Sequence, residues 1–162
     1  MKASVLTYIA IFLLASGCQG QSQPAQDTVH VAIHKSITDS AKAHAKNGDT
    51  VKALHYHKKA LLHTRKHGLQ EHEAHSLMHI GILLKGQDTG QSHAYLNKAL
   101  KIAERLDKHE LRANILLAMS SVYKQQQNYK ESLATLEAHQ KLIQEVFKKH
   151  REEEIAQLHD EE

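Results

Sequence analysis

Apolar residues recur at helical spacing along most of the chain, and the first such stretch predicts a helix from about Asp27 to Lys46. Its apolar residues follow one another at steps of four, namely Val29, Ile33, Ile37, Ala41 and Ala45. Because an α-helix turns once in about 3.6 residues, side chains at this spacing share one face. Five more helices are predicted, and the second ends at about His67. The third lies around Leu77, Ile80 and Leu84, and the fourth around Ala94, Ala99, Ile102, Ala103 and Leu106. The fifth lies around Leu111, Met119, Val122 and Tyr123, and the sixth runs from Asn128 through Leu133, Leu136, Leu142 and Val146.

Turn residues separate these stretches. Asn47-Gly48 is predicted to end the first helix, and Asp49 or Thr50 to cap the second. Gly68 and Gly86 end the second and third. Six helices joined by such short turns predict three antiparallel hairpins.

The chain also repeats itself. Residues 47 to 61, NGDTVKALHYHKKAL, return in variant form as QDTGQSHAYLNKAL and QNYKESLATLEAHQ. The small residues Ala53, Ser92 and Ser132 mark the same place in each copy, 39 and then 40 positions apart. A period of this length corresponds to one helix, a turn and a second helix.

The repeats resemble tetratricopeptide repeats. The first-helix packing positions of that family are matched by Met119, Ser120 and Tyr123, by Ile80, Gly81 and Leu84, and more weakly by Ser40, Ala41 and His44. The period of roughly 40 residues is longer than the usual 34. The resemblance implies an all-α, right-handed solenoid of three helix hairpins, at about residues 28–68, 70–107 and 109–147, followed by a long C-terminal helix.

Residues 148–162 are expected to extend the last helix to an acidic end. The segment from Val122 to Leu158 resembles the last repeat and exit helix of the tetratricopeptide sensor region of bacterial histidine kinases and diguanylate cyclases. Phe147, Ile155 and Leu158 form an apolar stripe on this extension. The stripe either caps the solenoid or forms the seam of a homodimer.

The N-terminus has a different pattern. Lys2, an apolar run from Val5 to Ala15, and small residues before Cys18 predict a signal peptide over residues 1–17. The sequence LASGC resembles the bacterial lipobox, which implies lipidation (palmitate) of Cys18; an ordinary secretory signal with an incidental cysteine is the alternative. Residues 18–27 are expected to be the lipidated cysteine and a flexible tether. The resemblance implies a lipid anchor in the bacterial outer membrane, with the protein facing the periplasm.

Composition narrows the function further. The formal charge is +3, aromatic residues make up only 4%, and acidic and basic residues are interspersed, so a nucleic-acid partner is not expected. Patterns for a nucleophile with its base, for a phosphate loop and for a metalloprotease are absent from the sequence. The chain is therefore not expected to be an enzyme or to need a cofactor.

Histidine is the unusual component, with 15 residues, seven of them between His55 and His79. Aligning the repeats places His57 in the position of Leu96 and Leu136, His63 in that of Ile102 and Leu142, and His67 in that of Leu106 and Val146. These histidines are predicted to be ordinary packing residues, partly buried or at the surface. A separate hypothesis is that some of them are buried in the neutral form, so that acidification would loosen the first joint. The alternative is a zinc, copper or nickel site; a hairpin turning near Leu69 would place His63 opposite His75.

The predicted ligands of that metal site are His63, His67, His72 and His75. His30, His109 and His159 are expected to be exposed. His75 and His79 are spaced by four residues, so their imidazoles are expected to lie on one face of the helix.

The tetratricopeptide resemblance implies a groove lined by the first helix of each hairpin, which in that family commonly holds a peptide or a partner helix. Its positions correspond here to Lys35, Asp39, Lys42, His75, His79, Asn114, Ser121 and Lys124. This lining is polar and mildly basic, so an acidic or C-terminal segment of a protein is the expected partner. The leading hypothesis is an adaptor or scaffold lipoprotein of the envelope; the alternatives are a periplasmic metal-binding protein and a detached sensory input module.

Overall fold

The structure is a computed structural model that describes residues 24–160. The predicted signal peptide and Cys18 lie outside these residues. The described part of the chain is all-α, with six helices and no strand. The helices are α1 (Pro24–Lys46), α2 (Thr50–Lys66), α3 (Gln70–Leu84), α4 (Thr89–Arg105), α5 (His109–Gln125) and α6 (Tyr129–Asp160).

Helix α1 begins three residues before the predicted start at Asp27. The first residue of the helix is Pro24, whose fixed φ suits this position and whose missing N–H would have no partner within the helix. The last residues of the predicted tether, 24–27, are therefore helical.

Each helix packs against the next one in the chain, and α3 also contacts both α1 and α5. Within residues 24–160, α2 and α4 do not contact each other, and neither do α4 and α6. The odd-numbered helices thus form one layer in mutual contact, and the even-numbered helices lie apart on the other side.

Four of the five turns have the same hydrogen-bond pattern. The backbone N–H groups of Asp49, Leu69, Lys108 and Asn128 each donate to the carbonyl five residues earlier, at 2.9 to 3.0 Å. This is the Schellman ending, which requires a residue in the left-handed region. Gly48 and Gly68 take that conformation as predicted, and Asp107 and Gln127 take it after α4 and α5.

The start signals also agree with the sequence. Asp49 caps α2 by accepting from the backbone N–H of Lys52 at 3.0 Å, and Asp88 caps α4 by accepting from that of Gln91 at 2.8 Å. Helix α3 ends differently from the prediction, at Leu84 rather than at Gly86, and Gly86 lacks the positive φ of the other turns.

Small residues bring the two helices of a hairpin close together. Ser92 on α4 donates from Oγ to the carbonyl of Gly81 on α3 at 2.6 Å. The hydroxyls of Ser120 on α5 and Ser132 on α6 lie 2.9 Å apart. Around these crossings lies the core, whose largest fully buried apolar residues are Leu77, Ile80, Leu96, Ile115 and Val122.

Within residues 24–160, no helix follows α6 to cover its outer face. Leu136 is 42% exposed, whereas Leu96 at the equivalent position of α4 is fully buried. Phe147 and Ile155 of the predicted stripe are also exposed. None of the helices within residues 24–160 is both long and apolar enough to cross a bilayer.

Candidate functional site

Histidines fill the space where α1, α2 and α3 meet. Eight of them lie at this joint, and none is exposed: His30, His34, His57, His63, His67, His72, His75 and His79. The repeat alignment places His57, His63 and His67 in normally apolar packing positions and leaves open whether they are partly buried or at the surface; in the structure His57 is buried and the other two are half-buried. The prediction that His30 and His109 are exposed is wrong. The end of α2 packs over the ring of His30, and His109 is half-buried at the start of α5.

The centre of this joint consists of histidines in apolar positions. His57 is 2% exposed and stacks on His79, with ring centroids 4.8 Å apart. His34, 5% exposed, lies edge-on to His72, and its Nε2 is 3.2 Å from the hydroxyl of Ser76. Among the described residues, Nδ1 of His57 is buried without a hydrogen-bond partner.

Burial governs the protonation of these rings. Loss of solvent, together with His79, Lys42 and His34 nearby, lowers the pKa of His57 to about 4. Burial also lowers the pKa of His79 to about 4, with His75 and Lys42 contributing. The pKa of His34 is lowered to about 4 by burial and by His72, His63, His75 and Lys42. A low dielectric and cationic neighbours both disfavour the charged imidazole, so these three rings are neutral at pH 7.

A second group of rings lies at one end of the joint. His30 near the start of α1 stacks on His67, with centroids 3.5 Å apart, and His63 lies 5.4 Å from His30 and 4.6 Å from His67. A ring nitrogen from each of the three can be chosen such that all lie within 4.8 Å of one another. Partial burial, and the rings of His30 and His63, hold the pKa of His67 below its ordinary value.

Only two of the four predicted metal ligands lie together in the structure. The structure brings His63 and His67 together with His30, and it leaves His72 and His75 outside this group. The reason is helical geometry, because positions 63 and 67 share the face of α2 that packs against α1. His72 instead lies against His34 on α1.

The predicted groove corresponds in part to a cleft between α3 and α5. This α3–α5 cleft has a volume of about 400 Å³ and is lined by Met78, Ile82, Lys85, Asn114, Leu117, Ala118 and Ser121. Asn114 also borders a neighbouring cleft of about 420 Å³ that includes His75, Glu71 and Lys108. Asn114 and Ser121 thus line one surface, and His75 and Asn114 line the next.

The other predicted groove residues have different surroundings. Lys35 pairs with Asp39 across 2.7 Å on the exposed face of α1, and Lys42 is exposed further along that helix. His79 stacks on His57 inside the joint. Lys124 is exposed at the end of α5 and does not line either cleft.

Five residues of the α3–α5 cleft are absent from the predicted groove, and three of them give the cleft its chemistry. Ile82 is 40% exposed, Leu117 is 43% exposed, and Lys85 donates from Nζ to the hydroxyl of Ser121 at 2.8 Å. The available signal was that Ile82 and Leu117 lie off the buried stripes of their helices. Such apolar residues are ordinary singly, and only the packing of α3 beside α5 places these two in one cleft.

Neither a family model nor a curated protein matches the chain.

Proposed function

We propose that this chain is a non-enzymatic binding module of tetratricopeptide-like architecture, and that its α3–α5 cleft binds a peptide segment in which an apolar side chain lies next to a carboxylate. The observation that carries the proposal is the combination of half-exposed Ile82 and Leu117 with Lys85 in one cleft.

The architecture is supported by the arrangement of the hairpins. Close crossings at Gly81 with Ser92, and at Ser120 with Ser132, recur near the repeat marker. A stack whose odd-numbered helices touch while its even-numbered helices do not curves towards the odd layer. The cleft lies on that inner layer, between two of its helices.

The apolar floor of the cleft favours an aliphatic or aromatic anchor. Covering the exposed parts of Ile82 and Leu117 would remove apolar surface from water, which contributes roughly 25 cal/mol per Å². A helical or extended peptide can supply such an anchor from a single side chain.

Lys85 favours an acidic neighbour for that anchor. It is half-buried, and within residues 24–160 it forms no ion pair, whereas Lys35, Lys52 and Lys108 each do. Among the described residues, the side chain of Lys85 donates its one hydrogen bond to the neutral hydroxyl of Ser121. A carboxylate on the peptide would provide the charge-assisted partner that Lys85 lacks.

The cellular setting is part of the same proposal. We place the module at the bacterial outer membrane, lipid-anchored through Cys18 and facing the periplasm, as an adaptor for an envelope protein. The support is the order of Lys2, the apolar run and the small residues before Cys18. Mass spectrometry of the purified protein should show an acylated N-terminal Cys18, and a mature form cleaved elsewhere would contradict the anchor.

The binding proposal is tested by selecting peptides from a random octapeptide display library against the full-length protein. We expect the enriched peptides to share an apolar residue beside Asp or Glu. Leu117→Asp should abolish their binding, because it places a charge on the apolar floor. Lys85→Gln should remove the preference for the acidic residue and keep the apolar one.

The matched control is Leu62→Asp, which makes the same change at a leucine that is 69% exposed on α2 and outside the cleft. It should bind the enriched peptides as the wild type does. Thermal unfolding of each variant establishes that it is folded. Equal binding by Leu117→Asp and wild type, or enrichment without an apolar and acidic pair, would refute the proposed cleft.

A further inference from the structure

We propose that His30, His63 and His67 form a binding site for one divalent metal ion of the kind that imidazole ligands prefer, namely zinc, copper or nickel. The site lies at the end of the first hairpin, away from the α3–α5 cleft. It therefore does not depend on the proposed peptide binding.

The distances fit a site that closes around its ion. The candidate nitrogens lie within 4.8 Å of one another. Tetrahedral zinc with Zn–N bonds of about 2.0–2.1 Å separates its ligand nitrogens by about 3.3 Å. Rotation of the imidazole side chains would bring the three nitrogens to this spacing. The same rotation would separate the stacked rings of His30 and His67.

One ring nitrogen at the site has no other partner. Among the described residues, Nδ1 of His30 is buried and makes no hydrogen bond. A buried nitrogen without a partner is unfavourable, and native proteins rarely keep one without a reason. A metal ion would satisfy this nitrogen.

His63 has the hydrogen bond that orients many metal-binding histidines. Its Nε2 lies 3.1 Å from the backbone carbonyl of His30. A carbonyl only accepts, so in the neutral ring Nε2 carries the proton and Nδ1 keeps its lone pair. A bond from one ring nitrogen to a backbone carbonyl leaves the other available to a metal.

The ligand set also defines the class of ion. Three neutral imidazoles without a carboxylate suit zinc, copper and nickel, and they do not suit magnesium or calcium, which require oxygen ligands. A water molecule would complete the tetrahedron around zinc. Lys66 adjoins His67, but its side chain is exposed, so solvent screens its repulsion of the ion.

Such an ion would connect α1 to the C-terminal end of α2. His30 is near the beginning of α1, and His67 is the residue that ends α2. The ion binds the folded hairpin and would stabilise it by mass action. At about a hundred-fold excess of free Zn²⁺ over its dissociation constant, we expect the melting temperature to rise by about 5–10 °C.

The test is calorimetric titration of the full-length protein with Zn²⁺, together with histidine side-chain ¹⁵N NMR. We expect one ion per chain and shifts of the His30, His63 and His67 ring nitrogens. His67→Gln should weaken Zn²⁺ binding more than about ten-fold, because losing a ligand costs more than losing a group that only orients one.

The control is the double variant His72→Gln with His75→Gln, which removes two neighbouring histidines of the same joint and should keep the affinity. Ring shifts confined to His72, His75 and His79, unchanged affinity in His67→Gln, or no binding at all would each overturn the site. If His67→Gln fails to fold, the ring shifts of the wild-type protein decide the question.

Discussion

Replacing His57 with leucine should make the protein more stable at pH 7.5 and less sensitive to acid. The side chain occupies the position that Leu96 fills in the next hairpin, and both are almost completely buried. His57 has a buried Nδ1 without a partner among the described residues. Removing such an atom removes an unfavourable burial energy of about 1–3 kcal/mol. Because the stacking on His79 is lost at the same time, we expect the free energy of unfolding to increase by about 1 kcal/mol.

The acid effect follows from the lowered pKa of His57. The folded protein holds it at about 4 against 6.5 for the free side chain. Between these values the unfolded chain binds a proton that the folded chain does not, so stability falls as the pH falls through this window and is retained above it. A pH of 5.0 lies about 1.5 units below the pKa of histidine in the unfolded chain. This difference corresponds to a decrease of about 2 kcal/mol in the free energy of unfolding.

His34 and His79 act in the same direction, because their pKa values are also lowered to about 4. The three rings do not titrate independently, because His57 lies beside His79 and His34, so their contributions to the pH dependence are not simply additive. The first joint should therefore be the part of the protein whose stability decreases most on acidification. His57→Leu removes one of the three contributions.

The assay is urea unfolding followed by circular dichroism at pH 7.5 and pH 5.0. The free energy of unfolding of His57→Leu should decrease between these pH values by about 2 kcal/mol less than that of the wild type. The control is His55→Leu, a change on the same helix at an exposed side chain, which should leave the pH dependence unaltered. An identical decrease in His57→Leu and wild type would refute the idea that His57 is held neutral in the fold.

Two further substitutions test the packing and the caps. Gly81→Ala would place a Cβ 2.7 Å from Cγ of Leu96. The overpacking costs about 1–3 kcal/mol, whereas the higher helix propensity of alanine contributes about 1 kcal/mol. We therefore expect the free energy of unfolding, measured by thermal unfolding, to decrease by about 1 kcal/mol. Gly90→Ala, the same change at an exposed position, should stabilise, and equal effects at both sites would disprove the close contact. Asp88→Ala should lower stability by about 1 kcal/mol through loss of its cap on α4, whereas Asp88→Asn should be nearly neutral; a neutral alanine variant would show that the cap contributes nothing.

The helices and most of their boundaries could be predicted because they depend on local chemistry. Asp49 caps α2 through its own side chain, and Gly48 ends α1 through a conformation that glycine adopts easily. The burial of His57 could also be predicted, since the repeats place it where Leu96 lies. These signals are contained within single turns or recur at a fixed period.

The grouping of side chains between helices could not be predicted in the same way. A hairpin turning near Leu69 predicts His63 opposite His75, whereas in the structure His63 lies against His30 of α1. The α3–α5 cleft likewise depends on how Ile82 and Leu117 approach each other across two helices. A repeat period specifies which helices are neighbours, and the rotation of each helix about its axis decides which side chains meet.

The two candidate surfaces share a single structural element, α3. The joint is built from α1, α2 and α3, and the α3–α5 cleft lies between α3 and α5. In an array whose contacts are limited to neighbouring helices, the first hairpin can open while α3 stays packed on α4 and α5. If the joint binds a metal ion and the cleft binds a peptide, as proposed above, α3 is the element through which the two events would be coupled. The joint can then lose its packing at one end of the array while the α3–α5 cleft stays folded.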